Sequence, residues 1–198
     1  MPTRVYLMRH GEVINGGEKR YNGHIDIDIT QNGVAQMHRL ADLLAEKNIS
    51  AVYSSDLIRS LKGAEIISNR IGITFKPLRE LRERSVGAWE GLTAEEINER
   101  FPTDYTAWRS DLLNYRPPGG ECLLDVANRI LPAFEKLVTS HPDQEIAMLL
   151  HGGVNRVILA DALGMDLLRL FTIDQSFGAL NIIDYFDDGK VLVKLMNG

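Results

Sequence analysis

Short apolar runs alternate with amphipathic segments along most of the chain, and these runs predict buried strands. Four of them have the length of single strands: residues 4–8, 50–55, 74–78 and 145–150. Further on, "ALNIIDYF" (179–186) and "KVLVKL" (190–195) flank the turn sequence Asp-Asp-Gly. Because glycine supplies the positive φ that tight turns need, these two runs predict an antiparallel hairpin.

Between the strands, apolar residues recur at the spacing of an amphipathic helix. The first predicted helix begins after Thr30, whose hydroxyl can cap it. Its apolar face consists of Val34, Met37, Leu40, Ala41 and Leu44. A second helix is predicted from about Asp56 until Gly72 ends it, with apolar positions at Ile58, Leu61, Ile66 and Ile67. Two more helices are predicted over 123–140 and 153–163.

This alternation predicts an α/β fold, built as a three-layer sandwich. A mostly parallel central sheet would carry helices on both faces, and the last hairpin would close one edge. Residues 80–121 interrupt the pattern with turn sequences such as "VGAWEG" and "RPPGG". We interpret them as an insertion that covers one face of the sheet, within a single domain of residues 1–198.

The composition argues against two classes of binding partner, nucleic acids and membranes. The net charge of −5 argues against nucleic acid, whose binding needs a basic face. No apolar run is long enough to cross a bilayer, so no membrane partner is expected. Cys122 is the single cysteine, which leaves no intrachain disulfide and favours a reducing, cytoplasmic location. The oligomeric state stays open.

Three segments are expected to meet at the carboxyl edge of the sheet, where ligands bind in open α/β folds. Arg9 and His10 follow the first strand, and Arg59 lies in the first turn of the helix after the second. His151 follows the strand at 145–150 and is succeeded by Gly152 at the start of a helix. Helix N-termini and guanidinium groups both bind anions, so this local positive charge predicts a site for a phosphoryl group.

The remaining histidines and the lone cysteine do not indicate a metal. His24, His38 and His141 are expected to be surface or structural residues. No H-x-x-x-H or C-x-x-C spacing is present, so no metal site is predicted. A single His-Gly pair at a strand end is more often structural than functional, and Arg59 alone would be an ordinary surface arginine.

Six ordered blocks resemble the histidine phosphatase superfamily, which has the phosphoglycerate-mutase-like fold. The first is Arg9-His10-Gly11-Glu12, directly after the first strand. The others are "YNGHIDIDIT" (21–30), "SSDLIRS" (54–60), "LRERSVGAWEG" (81–91), "PPGGEC" (117–122) and "LLHGGVNR" (149–156). The resemblance implies a phosphoric monoester hydrolase that needs no cofactor and acts on a small-molecule phosphate ester.

The resemblance also implies residue roles. His10 would be the nucleophile and form a phosphohistidine, and Glu83 would be the general acid. Arg9, Arg59 and His151 would bind the phosphoryl oxygens. The implied substrate-binding residues are Gly11, Asn15, Asn22, Gly23 and Gly152. Imidazole suits the nucleophile because its neutral form is abundant near pH 7.

Four departures from the family pattern stand out. Val13 occupies the place of a common threonine, and Asn15 comes one position early. Gly63 stands where threonine is common, and the sequence alone does not explain it. Cys122 replaces a serine, which puts any hydroxyl role there in doubt.

The short chain and the residues His24-Ile25-Asp26 favour a phosphatase over a mutase. "QSFGALNIID" (175–184) resembles a segment of α-ribazole phosphatases. The prediction is therefore removal of the 5′-phosphate of α-ribazole 5′-phosphate in cobalamin biosynthesis. Open alternatives are a broad-specificity phosphatase, a phosphoglycerate mutase, a zinc hydrolase and a regulator that binds phosphate ligands without catalysis.

Overall fold

Six strands form one mixed sheet in the computed structural model, which describes residues 1–198. They are β1 (Thr3–Arg9), β2 (Ile49–Ser54), β3 (Phe75–Pro77), β4 (Glu145–Leu150), β5 (Leu180–Tyr185) and β6 (Val191–Leu195). Their order across the sheet is β3-β2-β4-β1-β5-β6. The three pairings among β3, β2, β4 and β1 are parallel, whereas β5 runs antiparallel to both β1 and β6. The α/β class, the mostly parallel sheet and the closing antiparallel pair are confirmed.

Six helices connect the strands: α1 (Gln31–Leu44), α2 (Ile58–Ile71), α3 (Ala94–Arg100), α4 (Pro102–Ser110), α5 (Leu123–Thr139) and α6 (Gly152–Ala162). Thr30 caps α1 as predicted, because its hydroxyl accepts a hydrogen bond from Gly33 N–H at 2.9 Å. No helix combines the length and apolarity needed to cross a membrane.

The two faces of the sheet carry separate hydrophobic clusters, because successive side chains of a strand point to opposite faces. Val5 and Leu7 of β1 join the cluster that α5 and α6 cover. Tyr6 and Met8 join the cluster that α1 and α2 cover. The sheet therefore forms the middle layer of a three-layer sandwich.

The apolar positions of α2 do not all lie on its buried face. Ile67 is buried, but Ile58, Leu61 and Ile66 are only partly buried. The fully covered positions also include small or polar residues: Arg59, Ser60, Gly63, Ala64 and Ser68. The reason is close packing: a Cβ on Gly63 would collide with side-chain atoms of Leu149 and Met37. Glycine at position 63 thus lets α2 lie against β4.

The segment predicted as an insertion contains α3 and α4 and has a small hydrophobic cluster of its own, centred on Val86, Trp89 and Ile97. Two backbone loops of this segment touch, since a Cβ on Gly87 would collide with Pro118 O. Gly87 also has a φ of +54°, which favours glycine. Trp108, Arg109 and Leu112 then face a cavity at the carboxyl edge of the sheet.

Candidate active site

The two histidines lie side by side because β1 and β4 are neighbouring parallel strands. Arg9 pairs with Leu150 across this ladder, so His10 and His151 leave the sheet at equivalent points. Their ring centroids are 5.2 Å apart, and the rings meet edge to face. The structure thus brings His10 and His151 together at the carboxyl edge of the sheet, as the sequence predicts.

His10 presents one free ring nitrogen. Its Nδ1 lies 2.8 Å from Gly11 O. A carbonyl oxygen can only accept, so Nδ1 carries the proton and Nε2 keeps its lone pair. Burial, together with the charges of Arg9 and Arg59, holds the pKa of His10 well below its usual value. The ring is therefore neutral and nucleophilic at neutral pH.

His151 is fully buried and is held by a serine. Its Nε2 lies 2.7 Å from Ser55 Oγ, whereas its Nδ1 has no partner. Burial, assisted by the charge of Arg59, lowers the pKa of His151 well below its usual value. If the Ser55 hydroxyl donates to Nε2, Nδ1 carries a proton and is a free donor beside the His10 ring.

Two buried guanidinium groups flank the histidines. Arg59 donates to Gly23 O at 2.6 Å and to Ile25 O at 2.7 Å. Arg9 donates to Gln175 O, while its buried Nε has no partner. Burial lowers the pKa of Arg9 to about 10 and also lowers that of Arg59. Backbone carbonyls thus orient both groups without neutralising their charge.

Phe177 packs against both Arg9 and His10. The Arg9 guanidinium carbon lies 3.9 Å from the Phe177 ring centroid, a cation–π contact. The ring also packs against His10, with centroids 5.7 Å apart. Phe177 therefore fixes the spacing between the guanidinium group and the imidazole.

Glu83 lines the same site, and its carboxylate is held by backbone N–H groups. Its Oε2 accepts a hydrogen bond from Gly153 N–H at 2.9 Å, and its Oε1 accepts one from Arg84 N–H at 2.8 Å. His24 Nε2 lies 2.8 Å from Glu83 O, so this histidine has the structural role expected of it. A Cβ at Gly153 would stand 2.5 Å from Glu83 Oε1, so a side chain there would displace the carboxylate.

Asn15 and Asn22 form a reciprocal pair at the mouth. Each amide donates to the other, at 2.8 and 2.9 Å. Gly23 adjoins them with a φ of +46° and offers its carbonyl to Arg59. Gly11 alone among the predicted substrate-binding residues faces away, because it packs directly against Gly33 of α1.

Two connected cavities open at this edge. The first, which we call the histidine cavity, measures about 670 Å³, and its walls include Arg9, His10, Asn15, Arg59 and Glu83. The second, which we call the side lobe, measures about 520 Å³ and shares Arg9 and Glu83 with the first. Apolar side chains such as Trp108, Leu112, Val157 and Phe171 line the side lobe. No group of three or more potential ligand side chains is arranged to hold a metal ion.

Sequence reasoning missed the residues that support the site. Ser55 and Phe177 belong to quoted motifs, but nothing in the spacing links Ser55 to His151 or Phe177 to Arg9. Cys122 is the N-cap residue of α5, and Asp125 accepts a hydrogen bond from its N–H at 3.0 Å. The departure at position 122 therefore lies at a helix start, away from the histidines.

Paired imidazoles and guanidinium groups at the carboxyl edge of a three-layer α/β fold define an enzyme that handles phosphoryl groups. The chain belongs to the histidine phosphatase superfamily (branch 1), whose family model matches residues 5–198. Relatives of the chain are named phosphatases of this superfamily, and the chain is a phosphoric monoester hydrolase.

Three relatives illustrate the range of the family. A glucosyl-3-phosphoglycerate phosphatase from Mycolicibacterium vanbaalenii is 32% identical over 169 residues, which cover 82% of this chain and 75% of the relative. The structure of a mycobacterial glucosyl-3-phosphoglycerate phosphatase with VO3 superposes with a TM-score of 0.87, at 26% identity and 99% coverage of both chains. The α-ribazole phosphatase from Shigella flexneri gives a TM-score of 0.90, at 25% identity, covering 99% of this chain and 96% of that one.

Proposed function

We propose that the chain hydrolyses phosphate monoesters through a phosphohistidine on His10, without a metal. The observation that carries this proposal is the free Nε2 of a neutral His10 between two uncompensated guanidinium groups. In the first step Nε2 attacks phosphorus, and the bond to the ester oxygen breaks. In the second step water attacks phosphorus, the phosphorus–nitrogen bond breaks, and inorganic phosphate leaves.

The phosphoryl oxygens are bound by Arg9, Arg59 and His151. The donors without partners, Arg9 Nε and His151 Nδ1, support this role. Gly152 adds an N–H, because the first residue of a helix has no intrahelical acceptor for it. Fixed donors of this kind stabilise the charge that spreads over the equatorial oxygens in the transition state. The positive charge that a metal supplies in other phosphatases comes here from side chains.

Glu83 serves as the acid and then as the base. The protonated carboxyl donates to the departing alkoxide, and the resulting carboxylate takes a proton from the attacking water. Its hydrogen bond to Gly153 N–H fixes the carboxylate at the wall of the histidine cavity.

The alcohol part of the ester is proposed to enter the side lobe. Hydrolysis of α-ribazole 5′-phosphate stays a prediction, supported by segment 175–184 and by the likeness to the Shigella enzyme. Within that segment, however, Gln175 and Asn181 are buried and bond to each other at 2.7 Å. Gln175 O also holds Arg9. These residues build the phosphoryl pocket, so they suit other leaving groups equally well.

The test is phosphate release in EDTA from α-ribazole 5′-phosphate, 3-phosphoglycerate and p-nitrophenyl phosphate. We expect release that His10→Ala abolishes, and a 32P-labelled phosphohistidine in wild type quenched in alkaline detergent, because the phosphorus–nitrogen bond is stable in base and hydrolyses in acid. His38→Ala, which changes an exposed histidine, is the matched control. Ligand binding without any release would favour the regulator, and activity lost in EDTA would favour a metal enzyme. Rapid release from the α-ribazole ester alone would establish that substrate.

A further inference from the structure

Glu83 is surrounded by more positive charge than one phosphoryl group requires. Besides Arg9 and Arg59, it lies close to Arg84 and Arg156, and its charge opposes the effect of burial on the pKa of all four arginines. None of the four forms a salt bridge. Charges that are wholly or partly buried and form no salt bridge are unfavourable, so four arginines around one carboxylate in a protein of net charge −5 indicate an anionic ligand.

Arg156 stands between the histidine cavity and the side lobe and lines both. Its Nε donates to Ile173 O at 2.8 Å, which fixes the plane of the group, while its two terminal nitrogens have no partner in the protein. The point where a Gly152 Cβ would stand lies 3.3 Å from Arg156 Nη1 and 3.2 Å from Arg9 Nε. The two guanidinium groups are therefore within about 6.5 Å of each other.

Arg84 lines the side lobe, and a backbone carbonyl holds its guanidinium group as in Arg156. Its Nε donates to Glu121 O at 2.8 Å, and its buried Nη2 has no partner. Burial lowers its pKa. Arg84 lines the side lobe but not the histidine cavity, so its free nitrogen cannot serve the phosphoryl group bound at His10.

We propose that Arg84 and Arg156 form a second anion subsite that binds a carboxylate of the substrate. This inference rests on the proposed function, because it places the leaving group in the side lobe. A carboxylate accepts two parallel hydrogen bonds from a guanidinium group, which matches the free terminal nitrogens of Arg156. The short separation from Arg9 selects a carboxylate only a few bonds from the ester oxygen. An ester such as α-ribazole 5′-phosphate, which lacks a second anion, would leave both arginines unpaired.

The test compares 3-phosphoglycerate with glycerol 3-phosphate, which has a hydroxymethyl group where the other has the carboxylate. A hydrogen bond between charged groups contributes about 10- to 100-fold in binding. We expect wild type to prefer 3-phosphoglycerate by about that factor in kcat/KM, and Arg156→Gln to reduce the preference to within about threefold. Arg156→Lys should restore part of it, because a single charge remains. Arg100→Gln, which changes an exposed arginine of α3, should keep the wild-type preference.

Binding to the His10→Ala variant gives a readout that does not need turnover. We expect calorimetry to show 3-phosphoglycerate bound about 10-fold or more tightly than glycerol 3-phosphate, with Arg84→Gln and Arg156→Gln each removing the difference. Equal affinities for the two esters would overturn the subsite. So would an Arg156→Gln variant that loses the same affinity for both esters. If no ester released phosphate in a His10-dependent reaction, the proposed function would be overturned instead. The binding comparison would still test the subsite in that case.

Discussion

Acid is expected to destabilise the fold through its two buried histidines. In the folded protein both imidazoles are neutral, because burial lowers the pKa of His10 and of His151 well below the usual value. In the unfolded chain each has a pKa near 6.5 and gains a proton as the pH falls. The unfolded state then binds more protons than the folded state. The free energy of unfolding must therefore fall as the pH drops through about 6.5.

The size of this effect follows from the unfolded state alone. Between pH 7 and pH 5.5, protonation of one unfolded histidine stabilises that state by about 1.2 kcal/mol. Two buried histidines together remove about 2.5 kcal/mol of stability, a large fraction of the 5–15 kcal/mol typical of a domain. The pKa values of paired carboxyls such as Asp28 and Asp56 lie below their usual range, so their contributions are lost only at lower pH.

Urea unfolding of the wild type at pH 7 and pH 5.5, in buffers without phosphate, measures the difference. His151→Asn should retain about half of the pH dependence, because one buried imidazole remains. His38→Asn, at an exposed position, should leave the contribution of the buried pair intact. An unfolding free energy that is equal at the two pH values in the wild type would refute the argument. So would a His151→Asn variant with the full wild-type slope.

Three further substitutions test the site and its support. Gly153→Ala places a Cβ 2.5 Å from Glu83 Oε1, so we expect kcat to fall by about 10- to 100-fold with little change in melting temperature; unchanged kcat would contradict the proposed position of the acid. Glu83→Gln should slow the hydrolysis of alkyl phosphates far more than that of p-nitrophenyl phosphate, whose leaving group departs without a proton. Equal losses of kcat for both esters in steady-state assays would argue against acid catalysis. Gly63→Ala should lower the unfolding free energy by about 1–3 kcal/mol in urea titrations, because the added methyl meets Leu149 and Met37, and a neutral effect would show that these side chains move aside.

The sequence predicts the order of elements and the residues that do the chemistry. His10, Arg59 and His151 could be placed together because parallel strands end at one edge of a sheet. The inner face of α2 could not be predicted from hydrophobic spacing, since that face consists largely of small and polar residues. Ser60 is an example: its hydroxyl donates to Leu149 O, so a polar side chain is satisfied inside the core.

The support of the site was harder to predict for a related reason. Ser55 holds His151, and Gln175 O holds Arg9, through hydrogen bonds between segments that are distant in sequence. Contacts of this kind leave no periodic signal, and they become visible only when the topology is known. Arg84 and Arg156 escaped notice because a lone arginine in a sequence resembles any surface arginine.

The central place of β1 has a consequence for how the protein is made. This strand precedes its partners along the chain, since it pairs with β4 near residue 145 and with β5 near residue 180. Contacts so far apart in sequence slow folding, because a long loop must close before they form. The nucleophile is thus synthesised well before the strands that hold it in its working position. A nascent chain that does not yet include β5 cannot complete the sheet around His10, and so it stays inactive until that strand is made.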